Sequence, residues 1–269
     1  MSTSNTGVGD KGVALVTGAS AGIGSIYADR LAKRGYDLIL VARSGDKLAA
    51  LAARLTAETG RVVETIVADL NAKADLARVE AVLRDDPRIT LLVNNAGFGG
   101  VAPLLQSNVD TMQEMVDLNV SALTRLTYAA APALVARGKG GFINISSIVA
   151  VGPEILNGVY GATKAYVLAL SHSLQHELGD KGVRVQAVLP GATATEFWDV
   201  AGLPHSNLDQ GIVMRADAMV DAALAGFDQG ELVTIPGLQD GEDWLRFEAD
   251  RKALSQKFGH STPAPRYVA

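Results

Sequence analysis

Tyr160 and Lys164 are the side chains best suited to move a proton, four residues apart in the run Tyr160-Gly161-Ala162-Thr163-Lys164. On a helix that spacing puts both on one face, within reach of one site. An ammonium beside a phenol favours the phenolate, so the pair predicts a tyrosine pKa drawn down from about 10 toward neutral pH and a transferable proton. Taken alone, Tyr-x-x-x-Lys is more often a solvated helix face. Upstream, Ser146 and Ser147 close a strand-like run, where a hydroxyl could hold a substrate oxygen. Asn119 falls inside a helical stretch that disfavours asparagine, so either it is a tolerated surface residue or its amide has a local partner.

A second cluster is the turn Thr17-Gly18-Ala19-Ser20-Ala21-Gly22-Ile23-Gly24. Glycines between a strand and a helix let a pyrophosphate approach the free N–H groups and positive dipole of the helix N-terminus. The plainer reading is an ordinary βα turn. Gly18-Ala19-Ser20-Ala21-Gly22 also fits the G-x-S-x-G elbow of serine hydrolases. Against that, a first-strand elbow leaves no earlier loop for an oxyanion donor, and only His172, His176, His205 and His260 could act as base.

These residues need a frame. Short apolar runs at 13–18, 37–42, 62–68, 89–95, 141–146, 183–189 and 231–235 read as strands buried on both faces. Between them, helical periodicity predicts helices following the glycine turn and over 46–58, 72–84, 108–136 and 158–179, with Gly35, Gly60, Gly138 and Gly179 near their ends. The alternation predicts an α/β fold, a Rossmann-type doubly wound parallel sheet of about seven strands with helices on both faces. Residues 1–11 read as a flexible tail and 12–269 as one domain, with a lid over about 192–212 and a C-terminal extension over about 237–269 that is partly helical.

The composition narrows the function classes. A net charge of -5 provides no basic field for a nucleic-acid backbone. With no cysteine, disulfides, thiolate metal sites and thiol chemistry are excluded. No apolar run is long enough to span a bilayer and the opening residues lack a signal-peptide core, so a cytoplasmic protein with no membrane partner is expected. His172 and His176 form an i, i+4 pair but have no third ligand, and no metal is predicted.

The glycine spacing T-G-x-x-x-G-x-G, the run Asn94-Asn95-Ala96-Gly97, Asn119, Ser147, the Tyr160 to Lys164 run and Pro190-Gly191 follow one another at intervals that resemble the short-chain dehydrogenase/reductase family. Ser147 precedes Tyr160 by 13 residues, the interval of that family's catalytic pair, and this selects it over Ser146. The resemblance implies hydride transfer between a nicotinamide and a carbonyl or alcohol, with Tyr160 as general acid/base, Ser147 holding the substrate oxygen and Lys164 also binding the nicotinamide ribose. Asn119 would hold a water linking Lys164 to solvent. It further implies cofactor contacts from Gly18, Ser20, Gly22, Ile23, Gly24, Asp69, Leu70, Asn95, Ala96, Gly97, Pro190, Gly191, Thr193 and Thr195. Arg43 stands 19 residues beyond Gly24, where an acid would bind the ribose hydroxyls of NAD(H), and a guanidinium there suits a 2′-phosphate; NADP(H) is therefore expected over NAD(H).

Phe98, Gly99, the stretch Val149 to Val159, and Phe197, Trp198, Leu203 and Pro204 would make a mostly apolar pocket, suited to a hydrophobic ketone, aldehyde or secondary alcohol. A 3-oxoacyl-thioester fits the same chemistry. A non-catalytic nucleotide-binding regulator is a further alternative, although it should lack the tyrosine or the lysine. Family analogy implies a homodimer or homotetramer through the two long helices.

Overall fold

The computed structural model describes residues 11–268; the expected N-terminal tail lies outside them except for Lys11. Those residues form two compact bodies, one ending at Pro236 and the other beginning at Gly237.

In the first body the apolar runs become β1 (Val13–Thr17), β2 (Asp37–Ala42), β3 (Val63–Val67), β4 (Ile89–Asn94), β5 (Gly140–Ile145) and β6 (Val183–Val188), followed by the short β7 (Thr193–Ala194), β8 (Met214–Arg215) and β9 (Val233–Thr234). Seven of them pair in the order β3-β2-β1-β4-β5-β6-β9, all parallel, while β7 and β8 pair with each other. Every residue of β1 and β2 is buried, as expected for strands covered on both faces. β3 departs from that expectation: it is the sheet edge, and Val67 at its end and Val62 just before it are exposed.

The helices of this body are α1 (Gly22–Lys33), α2 (Gly45–Thr59), α3 (Lys73–Asp85), α4 (Val109–Val116), α5 (Leu123–Arg137), α6 (Gly158–Leu178), α7 (Phe197–Ala201) and α8 (Ala216–Gln229). Because strand side chains alternate, Val16, Leu40 and Val93 pack under α1, α2 and α8, whereas Leu15, Ile39 and Leu92 pack under α3, α5 and α6. The sheet is thus covered on both sides.

One expectation needs correction. The single helix expected over 108–136 is α4 and α5 joined by a π-helical turn, Asp117–Ala122, which carries Asn119. α6 ends where expected, with Gly179 as its C-cap at φ -62, and the chain runs on through one tight turn to Gly182, at φ +77. The segment expected as a lid over about 192–212 contains β7, α7 and a single helical turn at His205–Asn207, and β8 follows it.

The second body is built on α9 (Gly241–Ser255), capped by Asp240, which accepts from Glu242 N at 3.0 Å. Trp244 and Phe247 pair on it with centroids 5.2 Å apart, and Arg251 binds Glu248 at 2.9 Å. It is partly helical, as expected, and ends in a single turn at Pro265–Tyr267.

Candidate active site

The strand order reverses between β1 and β4, and in open α/β sheets ligands bind at that switch point, beyond the carboxyl ends of the strands. The glycine turn leaves β1 there and Asn94-Asn95 leaves β4. Thr17 ties the two together: its hydroxyl accepts from Asn95 N at 2.9 Å and Ala96 N at 3.0 Å and donates to Val93 O at 3.2 Å. The Asn95 amide donates to Thr17 O at 2.9 Å. Asn95 is therefore a strut for the glycine turn as well as a candidate contact on the ribose side.

Two glycines explain why the turn can exist. Gly18 has φ +64, closed to most side chains, and a Cβ on Gly24 would lie 2.3 Å from Gly18 O and 2.5 Å from Asn95 Nδ2. The first turn of α1 has no side-chain cap and no acidic residue, so its N–H groups and dipole stay open to an anion. Thr195, after β6, closes in from the other side: a Cβ at Gly22 would meet it at 3.4 Å. Thr193 is buried beside it, with its hydroxyl on Gly191 O at 3.1 Å.

Arg43 directly follows β2 as an exposed side chain with no hydrogen bond or ion pair among the described residues, just before α2, whose N-cap Ser44 makes no capping bond. An available guanidinium beside an uncapped helix start suits a phosphate. After β3, Asp69 is exposed and its carboxylate accepts from Asn71 N at 3.0 Å, a turn bond, while the Leu70 side chain is buried in the core. Ser20 is half-buried, and no described histidine hydrogen-bonds it, which leaves the hydrolase elbow without a base.

Asn119, Ser147, Tyr160 and Lys164 are all buried. Asn157 caps α6, accepting from Val159 N at 2.9 Å and Tyr160 N at 3.3 Å, and so fixes where the tyrosine enters the helix. The two neighbouring serines separate by role: Ser146 donates to Lys164 O at 2.7 Å, a structural bond, whereas Ser147 acts on the Tyr160 phenol and draws its pKa down. The Ser147 hydroxyl also reaches Pro190 O at 3.3 Å, which joins the segment after β6 to the site. Lys164 donates to Ile145 O at 2.9 Å. Asn119 is the locally partnered kind: its amide accepts from Phe98 N at 3.1 Å and donates to Phe98 O at 2.9 Å and Thr163 Oγ1 at 3.1 Å. A Cβ at Gly97 would stand 2.8 Å from Asn119 Oδ1 and 3.7 Å from Lys164 Nζ.

The electrostatics run against the expectation from spacing. Burial pushes the Tyr160 phenol up to about 12, with Ser147 pulling the other way, and burial draws the Lys164 amine down to about 8. The ammonium lies 5.7 Å from the centre of the tyrosine ring and is spent on a backbone carbonyl, so desolvation of the phenol outweighs it.

Asn157 and Thr163, to which the sequence analysis gave no role, hold the site together with Thr17 of the glycine-turn motif. Their signal was present: a polar residue ending an apolar strand, an asparagine one position before a helix, and a threonine one turn from Tyr160. The other side of the phenol is apolar, with Phe98, Met112, Met115, Val149, Leu156, Val159 and Phe197 packed about it. Trp198, expected in the pocket wall, is instead buried as an anchor, donating from Nε1 to Thr193 O at 2.9 Å. His172 is half-buried and His176 exposed on α6; among the described residues no three His, Asp or Glu side chains are grouped to hold a metal, and no helix is long and apolar enough to cross a membrane.

A doubly wound parallel sheet with a glycine cradle at its switch point is the frame of a Rossmann-type dinucleotide-binding protein. Residues 12–202 match the short chain dehydrogenase family, and the chain belongs to it. A short-chain dehydrogenase from Sphingobium yanoikuyae in complex with NADPH is 48% identical, with TM-score 0.93 over 95% of this chain and 99% of that one. The bulky-bulky ketone specific alcohol dehydrogenase from Comamonas testosteroni is 44% identical, with TM-score 0.89 over 96% and 99%. A serine 3-dehydrogenase from Rhizobium radiobacter is 39% identical over 187 residues, 69% of this chain and 74% of that protein.

Proposed function

We propose that this oxidoreductase uses NADP(H) to interconvert apolar ketones and secondary alcohols, with Tyr160 as the general acid/base. The observation that carries the reading is the convergence of buried Ser147, Tyr160 and Lys164 beside a glycine cradle at the switch point.

The cradle fits a dinucleotide: Gly18 to Gly24 and the open start of α1 would take its pyrophosphate, and Asn95, Ala96, Gly97, Thr193 and Thr195 would flank its length. Arg43 favours a 2′-phosphate, and the NADPH complex of the Sphingobium yanoikuyae protein agrees with that choice. When bound, the nicotinamide supplies or accepts the hydride. In reduction, Tyr160 gives its proton to the oxygen that develops negative charge, and Ser147 donates a hydrogen bond to the same oxygen. Lys164 holds positive charge below the phenol, and Asn119 fixes the Phe98 segment facing it. The apolar wall excludes water and favours an uncharged carbonyl compound.

Tyr160→Phe tests the reading. It removes only the hydroxyl, so NADPH binding measured by fluorescence titration should persist while ketone reduction falls by roughly 10²- to 10⁴-fold. Turnover at the wild-type rate would refute the acid/base role, and NADPH binding with no turnover of any carbonyl by the wild type would favour a regulator.

A further inference from the structure

Phe197 opens α7 and has no part in the proton transfer above. Its ring lies tilted against the Tyr160 ring with centroids 5.7 Å apart. Behind the two rings stands Gly99, where a Cβ would fall 2.5 Å from Phe197 Cζ and 3.0 Å from Tyr160 Cε2. Only the missing side chain at 99 lets the phenyl settle against the phenol. Any other residue there would push Phe197 away.

The phenyl is also held from its own side. Trp198, the next residue, packs edge-on to it at 5.7 Å, is buried, and is pinned through Nε1 to Thr193 O at 2.9 Å. Leu203 N returns to Trp198 O at 3.0 Å, and Gly202, at φ +90, ends the helix. Phe197 itself is only half-buried, leaving part of an apolar ring open beside a buried phenol.

A carbonyl oxygen protonated by Tyr160 must come within hydrogen-bond reach of its hydroxyl, which brings the carbonyl carbon and both substituents close to the ring. On the α7 side that space is bounded by Phe197. Resting on the reading of Tyr160 as proton donor, we propose that Phe197, seated over Gly99, is the size-determining residue of the substrate site. It admits an unbranched alkyl or flat aryl group on the α7 side of the phenol and excludes branched bulk. A flat ring can lie against the phenyl at ordinary stacking distance, whereas a branched group must displace a side chain anchored by Trp198.

Symmetrical ketones test this, because whichever way the substrate sits, one substituent faces α7. Initial rates of NADPH-dependent reduction of acetone, 3-pentanone and diisopropyl ketone would be compared for wild type, Phe197→Ala, Gly99→Ala and the double variant, each checked for folding by thermal denaturation. Phe197→Ala should raise kcat/KM for diisopropyl ketone relative to 3-pentanone by roughly tenfold or more, with NADPH affinity unchanged. Gly99→Ala should lower kcat/KM for all three in the wild-type background, and by a clearly smaller factor once Phe197 is gone and the new methyl crowds only the Tyr160 ring, the non-additivity expected of touching residues. An unchanged selectivity ratio, or additive losses, would overturn the size filter while leaving the Tyr160 reading intact. No turnover of any of the ketones by the wild type would instead overturn the Tyr160 reading, and the filter with it.

Discussion

Replacing Lys164 by methionine should stabilise the cofactor-free protein while removing function. Burial draws this amine from 10.5 to about 8. At pH 7 it is protonated in both folded and unfolded chains, so the folded state carries the whole cost of the buried charge, about 3 kcal/mol at about 1.4 kcal/mol per pH unit. Methionine keeps the apolar stem but loses the 2.9 Å bond to Ile145 O, a loss of about 1 kcal/mol. The variant should therefore be more stable by about 2 kcal/mol at pH 7. Between about 8 and 10.5 the folded amine has released its proton while the unfolded one keeps it, so wild-type stability rises with pH across that window and the advantage shrinks to near zero by about pH 10. Tyr160 and Tyr27, both held up by burial, shift stability the opposite way as pH rises above 10, but they do so equally in the two proteins and cancel from the difference. Urea unfolding of both proteins at pH 7 and pH 10 would measure it. A variant less stable than wild type at both values, by the same amount, would refute the argument that burying the charge dominates.

Arg43→Asp should cut the preference for NADPH over NADH by roughly tenfold or more, because a repelled 2′-phosphate replaces a paired one; equal discrimination in kcat/KM would remove Arg43 from cofactor choice. Gly24→Ala places a methyl on Gly18 O and Asn95, and should both lower the melting temperature and abolish NADPH binding in a fluorescence titration. The phenol, held at about 12, is protonated at physiological pH, so reduction needs no prior ionisation, whereas alcohol oxidation needs the phenolate and should climb with pH from 7 to 10. An oxidation rate flat over that range would contradict the assignment. Exposed Tyr128 on α5 and Tyr166 on α6, together with the family analogy, lead us to expect a dimer or tetramer; light scattering at 28.0 kDa alone would refute it.

How much of this was legible in the sequence follows from which interactions are local. The buried strands announced themselves because a parallel sheet covered on both faces needs continuous apolar runs, and β1 and β2 provide them without a break. Edge position is not written in the run itself, and β3 is therefore indistinguishable from a central strand until its neighbours are known. The π-helical turn was equally hidden. It carries Asn119, whose amide bonds the Phe98 backbone, 21 residues away, and no helical periodicity encodes a partner at that distance.

The Tyr160–Lys164 pair shows where spacing stops being informative. Four residues on a helix fix the relative direction of two Cβ atoms, and on α6 they do put both side chains in one buried site. The effect of the amine on the phenol depends on where the ammonium ends a flexible stem, and here Ile145 O captures it, 5.7 Å from the ring centre. Desolvation acts on both groups regardless of their mutual geometry and disfavours charge on each, raising the phenol and lowering the amine. In the free protein the site therefore favours a neutral phenol, the form needed to donate a proton. An attraction that looks decisive from i, i+4 spacing is overruled by burial.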